Sequence, residues 1–282
     1  MLKNKIMSEF KEGSVFDGKR EDIEVLGKLI KEEIEKHGRP AREVLLDEMD
    51  SSQVLVVGEN HIDAFGPLRR LILDLLPELK EKGLTTLALE EDSGNQGVVD
   101  DFLKGKITAS ELAERTTFGL YKNMAEDWIK IFNKAKELGL QIKAVDHDQP
   151  VYEDDQGSVD HENNRDKGMF DGIKEISGDG KVLMIFGNLH VNTEPELGRN
   201  GRDFVYRLGY RAKEQGLPWT FIETVSPVVG VANLQFHRLS EFGISPKQSL
   251  IIPTIYNNFF KGSGCNVGGV DYVLFIPEPE VV

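Results

Sequence analysis

From Val54 onward, short apolar runs alternate with longer stretches of helical periodicity, and this alternation restricts the fold more than any other feature of the chain. VLVV (54–57), TTLALEE (85–91), QIKAVD (141–146), KVLMIFG (181–187), WTFIETV (219–225) and DYVLFI (271–276) have strand length and aliphatic character; SLIIPT (249–254) is a further candidate. Pro67 opens a helical stripe of Leu68, Leu71, Ile72, Leu75, Leu76 and Leu79 that Gly83 closes. A second stripe carries Ala125, Trp128, Ile131, Phe132, Ala135 and Leu138 up to Gly139, and residues 161–176 read as a third helix. A fourth is expected around Phe204, Val205, Leu208 and Ala212. Pro77 interrupts the first stripe and predicts a kink or split there. Apolar strands joined through helices are covered on both faces. The expected fold is α/β, a mostly parallel central sheet flanked by helices on both faces. Residues 21–37 form an amphipathic stripe of Ile23, Leu26, Ile30 and Ile34, so residues 1–50 are read as an N-terminal helical extension and 51–282 as a single domain. The less regular stretch 226–270 leaves room for a hairpin or an insertion.

A chain of 282 residues can bury a sizeable core. Its formal net charge of −14 disfavours non-specific binding to nucleic acid or anionic lipid. One cysteine, Cys265, cannot form an internal disulfide and reads as a loop thiol. The opening MLKNKIMSEFKEGSVF has no apolar h-region, no lipobox-like cysteine follows, and no run approaches the ~18 apolar residues of a spanning helix. The expected location is cytoplasmic, with export as an effector left open. The expected partner is a small-molecule or peptide substrate rather than nucleic acid or membrane.

In open parallel sheets, ligands sit beyond the carboxyl ends of the strands. Here the first strand runs into Glu59 and His61, the second ends in Glu90 and Glu91, the third in Asp146 and His147, and the fourth leads to His190. Each feature alone has an ordinary explanation as a turn residue or a solvated helix start. Four together point to one polar edge, because charge elsewhere in the chain falls mostly on helices. His37 and His237 follow no strong apolar strand. GENH (58–61) and GNLH (187–190) both place an imidazole three residues after a glycine that lets the backbone turn sharply.

VLVVGENH, TTLALEE, NNRDKGM, KVLMIFGNLHV and GVDYVLFI together resemble the Tiki/ChaN/erythromycin-esterase superfamily, over about Val54 to Ile276 with gaps. Its branches include Tiki-type metal-dependent proteases, ChaN-like haem-binding uptake proteins and erythromycin esterases. The paired Gly-x-x-His with a glutamate resembles the Tiki-type signature and falls on His61, His190 and Glu90 or Glu91. The Gly-Glu-x-His form and the Arg-Asp-x-x-Met helix resemble the ChaN-like and esterase branches, and fall on Glu59, His61, Arg165, Asp166 and Met169.

Three functions follow as expectations. In the first, a metal-dependent hydrolase of an ester or amide, His61, Glu90 and His190 hold one divalent ion. Two imidazoles and a carboxylate leave positions for water and substrate, and Mn²⁺, Co²⁺ and Zn²⁺ all accept such ligands. Glu59 serves that site as proton acceptor or ligand orienter, Arg165 stabilises the oxyanion, and Glu91, Asp146 and His147 line the pocket. A metal-free variant makes His61 the general base with Glu59 or Glu90 as its orienter. The second expectation is haem or another planar ligand, with His61, His147, Tyr121 or Tyr152 as axial ligand. The third is an effector or toxin-like domain. No P-loop or dinucleotide motif and no G-x-S-x-G elbow is present, which counts against nucleotide and serine-hydrolase chemistry.

Overall fold

The computed structural model describes residues 28, 31–32, 34–59, 66–120, 122–147, 159–197, 202–225, 228–231, 235–238, 249–253 and 270–275. In chain order the elements are β1 (Arg39–Pro40), α1 (Ala41–Ser51), β2 (Val54–Glu59), α2 (Gly66–Glu81), β3 (Leu84–Asp92), α3 (Gln96–Leu103), α4 (Ala109–Glu114), α5 (Lys122–Glu137), β4 (Gln141–Asp146), α6 (Val159–Ile176), β5 (Lys181–Gly187), β6 (Glu196–Leu197), β7 (Phe204–Val205), α7 (Leu208–Glu214), β8 (Trp219–Val225), β9 (Val228–Val231), β10 (Gln235–Arg238), β11 (Leu250–Pro253) and β12 (Tyr272–Phe275). Eight strands form one sheet in the order β1-β11-β12-β8-β2-β5-β3-β4. The six from β12 to β4 are parallel, while β11 and β1 are antiparallel additions at one side. The irregular stretch after β8 contains the antiparallel hairpin β9–β10.

Period-two alternation sorts the apolar residues of each strand onto two faces. Val54, Val56, Met184, Phe186 and Phe221 pack against Met169, Phe170 and Ile173 of α6 and Leu208 and Ala212 of α7. Leu55, Val57, Leu183 and Ile185 pack on the other side with the apolar faces of α1, α2 and α5. Helices therefore cover both faces of the sheet. The helix α1, within the N-terminal stretch, contributes Ala41, Val44, Leu45 and Met49 to this second layer. No described helix is long and apolar enough to cross a membrane.

Two expectations are corrected. Pro77 does not split its helix, because α2 runs unbroken from Gly66 to Glu81. A proline inside a helix costs about 3 kcal/mol. Leu68, Ile72, Leu75, Leu76 and Leu79 are all fully buried, and each such side chain contributes roughly 1.5–3 kcal/mol, so packing outweighs the missing hydrogen bond. The helix expected around Phe204 begins only at Leu208. Phe204 and Val205 instead form β7, which pairs with β6 in the register Glu196↔Val205.

Polar groups close the remaining borders of the sheet. At the amino ends of the strands, the hydroxyls of Ser52 and Thr220 bond each other, and both Thr220 and Tyr272 donate to Glu48. Gln53 Nε2 donates to the Ser177 carbonyl at 2.8 Å. Along the outer border, β4 has a strand on one side only among the described residues. The Gln96 side chain lies on its other side, donating to the Ile142 carbonyl at 3.2 Å and accepting from the Ala144 N–H at 2.9 Å.

Candidate functional site

The carboxyl ends of β2, β3, β5 and β4 gather the charged residues that the sequence set there, and strand alternation divides them between the two faces of the sheet. Glu59 ends β2 on the α2 side and is fully buried. Arg69 of α2, itself buried, donates from Nη1 to Glu59 Oε2 at 3.1 Å, and its Nε lies 3.5 Å from Asp127 Oδ2 on α5. Two charges out of water persist only because each neutralises the other.

Glu90 and Glu91 are consecutive in β3 and so face opposite ways. Glu91 accepts from the Thr117 N–H at 2.8 Å, the Thr117 hydroxyl at 2.6 Å and Asn95 Nδ2 at 2.6 Å, which makes it an anchor for the loop after α4. Glu90 turns to the α6 side. Its Oε2 accepts from the Gly187 N–H at 2.5 Å, and its Oε1 accepts from Arg165 Nη2 at 2.9 Å and lies 3.3 Å from His190 Nε2.

His190 sits in a short 3₁₀ turn, Asn188–Val191, directly after β5. The turn is tied down by Asn188, whose Nδ2 donates to the Thr224 carbonyl at 2.9 Å. It also lies close over β2, where a Cβ at Gly58 would stand 2.4 Å from Asn188 Oδ1. The glycine of the first Gly-x-x-His motif thus makes room for the turn of the second. The other imidazole nitrogen, His190 Nδ1, is 2.8 Å from Asp166 Oδ1 on α6. Asp166 is fully buried and also accepts from the Leu208 N–H at 2.9 Å and from Arg207 Nη1 at 3.3 Å. Arg207 in turn donates from Nε to Glu196 at 2.9 Å and lies 2.9 Å from Glu162 through Nη2.

Arg165, one residue before Asp166, reaches the opposite way. Its Nε and Nη2 grip Asp146 at the end of β4, at 2.9 and 2.6 Å, so its carboxylate partners are Asp146 and Glu90 rather than the neighbouring Asp166. It remains 25% exposed at the rim. His147 follows Asp146 and is exposed, with its ring against Gly168 of α6 and Nδ1 3.5 Å from Ser93 Oγ.

The electrostatics follow from burial and pairing. Burial alone would push the His190 pKa down, but the charges of Asp166 and Glu90 outweigh it and raise it to about 10. Asp166 is pushed up by burial and pulled further down by His190 and Arg207, so it stays below the usual carboxylate range. His190 at neutral pH is an imidazolium between two carboxylates. Glu223, near the end of β8 and in register with Gly58, is different. It is buried, its Oε2 has no hydrogen-bond partner, and burial together with nearby Glu196 raises its pKa to about 8.

Of the residues singled out in the sequence, Glu90, Asp146, Arg165 and His190 form one connected network, and Asp166 completes it. Glu59 stands on the other face with Arg69, Glu91 is committed to Thr117 and Asn95, and His147 lies at the rim. His61, Tyr121, Tyr152 and Cys265 lie outside the described residues. Among the described residues, no group of three or more His, Cys, Asp or Glu side chains is arranged to hold a metal ion. Arg69, Arg207, Glu196 and Glu223 were not read from the sequence. Glu223 alone left a signal, an acid inside the apolar run WTFIETV.

No curated protein matches the chain. A solved succinoglycan biosynthesis protein superposes with TM-score 0.63 at 12% identity, covering 89% of this chain and 96% of that one. A Bacillus cereus protein superposes with TM-score 0.61 at 12% identity, covering 90% and 98%. Both show the fold. RRSP, a MARTX toxin effector domain from Vibrio vulnificus, is 21% identical with TM-score 0.46 over 71% of this chain, which spans only 37% of that structure. A family model described as haem-binding uptake, Tiki superfamily, ChaN matches residues 45–154, the segment that holds Glu59, Glu90, Glu91, Asp146 and the first Gly-x-x-His motif. Over that segment, which is less than half of the chain, the sequence is similar to this family.

Proposed function

We propose that the chain is a hydrolase of an ester or amide that works by acid–base chemistry of its own side chains at the carboxyl edge of the sheet. The observation that carries this reading is the line Asp166–His190–Glu90, in which a buried carboxylate holds Nδ1 at 2.8 Å and leaves Nε2 directed toward Glu90 at 3.3 Å. An imidazole fixed on one nitrogen by a carboxylate presents the other for proton transfer. In this scheme water attacks the substrate carbonyl carbon as its proton passes to His61. Arg165 balances the negative charge that develops on the carbonyl oxygen. The bond to the leaving group then breaks as that group takes the proton from His190 Nε2. The proton held by His61 passes through solvent back to His190.

A separation of 3.3 Å between His190 Nε2 and Glu90 Oε1 suits two ligands of one divalent ion at about 2.1 Å each. However, Glu90 Oε1 already accepts from Arg165, a permanent cation, at 2.9 Å. A dication on that oxygen would sit beside the guanidinium, and among the described residues no group of three or more His, Cys, Asp or Glu side chains is arranged to hold it. The described residues do not fit the ion.

The test is a panel of ester and peptide substrates run with Mn²⁺, Co²⁺ or Zn²⁺ and again with chelator, alongside a haemin titration. Turnover that survives chelation is expected. Turnover abolished by chelator and restored by one ion would replace this mechanism with a metal-dependent one. No turnover, with a sharp visible band on adding haemin, would give the site to haem binding, the property in the family's description.

A further inference from the structure

We propose that Arg207 is a positioning residue for His190, acting through Asp166; this rests on the reading of His190 as the proton-transfer group. Asp166 divides its acceptors. Oδ1 takes His190 Nδ1 and the Leu208 N–H, and Oδ2 takes Arg207 Nη1. An unaccompanied buried carboxylate would be free to rotate or to take the imidazole proton. Arg207 removes both options, because its charge favours the ionised carboxylate and its bond fixes the second oxygen.

The contacts of Arg207 also close a ring. Its Nε donates to Glu196 Oε2 at 2.9 Å, and Glu196 Oε1 accepts from Asn192 Nδ2 at 2.5 Å. Asn192 caps the turn that carries His190. The path His190–Asp166–Arg207–Glu196–Asn192 therefore leaves the imidazole by its ring nitrogen and returns to the same turn two residues later. A ring holds the imidazole by side chain and backbone together, so its plane is set from two directions. Glu162, 2.9 Å from Nη2, holds the guanidinium plane from outside the ring. Lysine could carry the charge but not the three-way fork.

The experiment compares R207M, R207K and D166N with the full-length chain in two readouts. The first is the low-field proton NMR resonance of the His190 Nδ1–H. It is expected in the wild type, lost in D166N, lost or exchange-broadened in R207M, and retained with broadening in R207K. The second is the split between kcat and KM. A charge-assisted hydrogen bond corresponds to about a tenfold to hundredfold rate effect, so R207M should lose that factor in kcat with KM nearly unchanged, and R207K less. An R207M resonance identical to wild type, or a loss confined to KM, would overturn the assignment. If R207M does not fold, R207M/E196Q, which also removes a charge left behind, takes its place in both readouts. Should the wild-type chain hydrolyse nothing, the functional reading falls, while the resonance still decides whether Arg207 orders His190.

Discussion

The two ends of the sheet's strands are both lined with polar residues, yet they are wired differently. At the amino ends, contacts are largely private. Ser52 meets Thr220, Gln53 meets one carbonyl, and Glu48 takes two hydroxyls. At the carboxyl ends, charges are shared. Glu90 serves Gly187, Arg165 and His190; Asp166 serves His190, Leu208 and Arg207; Arg207 spans three carboxylates. Private hydrogen bonds close off backbone and core. Shared charges fix where protons reside, so that a change at one residue is felt at several.

If that contrast is right, the largest effect belongs to the shared end and to catalysis. His190→Ala should lower turnover by about 10²–10⁴-fold, the usual share of a general acid or base, and leave the far-UV circular dichroism unchanged. Equal losses from Ser52→Ala would erase the distinction between the two ends. The next effect falls on stability. Arg69→Met removes the guanidinium from the buried Glu59 carboxylate, and urea titration should show a loss of about 3–5 kcal/mol. The double change with Glu59→Gln should recover much of it; a single change that costs nothing would mean the pair is not wholly desolvated.

Glu223 sharpens the comparison through pH. Its pKa in the folded chain, about 8, stands above the ordinary value of 4.5, so the folded state holds this proton more tightly than the unfolded state does. Its contribution therefore costs nothing below pH 4.5 and grows as pH rises through 8. The scale is a few kcal/mol, at about 1.4 kcal/mol per unit. Glu223→Gln should thus exceed wild type in stability by a margin that widens between pH 5 and 8, measured by chemical unfolding at several pH values. A margin independent of pH would show that the carboxyl is already ionised. The smallest effect is assigned to the private end. Ser52→Ala should cost about 1 kcal/mol, one neutral hydrogen bond, and leave turnover untouched.

Much of the fold was legible because burial on both faces leaves an unmistakable trace. QIKAVD and KVLMIFG coincide with β4 and β5, and β3 exceeds TTLALEE by one residue at each end. The exceptions are local. Pro77 obeys a propensity that five buried side chains override, and Phe204–Val205 are too short a strand to show any periodicity. For the site, position after a strand identified Glu90, Asp146 and His190 as neighbours. It could not say which of two consecutive glutamates faced His190; in the structure Glu90 does, on the α6 side, and Glu91 faces the other way. Arg207 was invisible for a physical reason. It precedes a short helix, far in sequence from the carboxyl ends of the central-sheet strands, and the packing of α6 against α7 brings it to Asp166.

Gln96 bears on how molecules of this protein meet one another. A strand at the border of a sheet offers its free amides and carbonyls to any extended chain that drifts by, which is how sheets grow into aggregates. At Ile142 and Ala144 that invitation has been taken up by a single primary amide, whose N–H and carbonyl imitate one residue of a ninth strand. The imitation ends there, since the same Nε2 also donates to Asp100 Oδ1 at 2.8 Å, which holds the amide in place, and the rest of the side chain is an aliphatic stem. An incoming strand would have to break these bonds before forming any of its own. One glutamine thus opposes the polymerisation that an uncapped β4 would favour at high concentration.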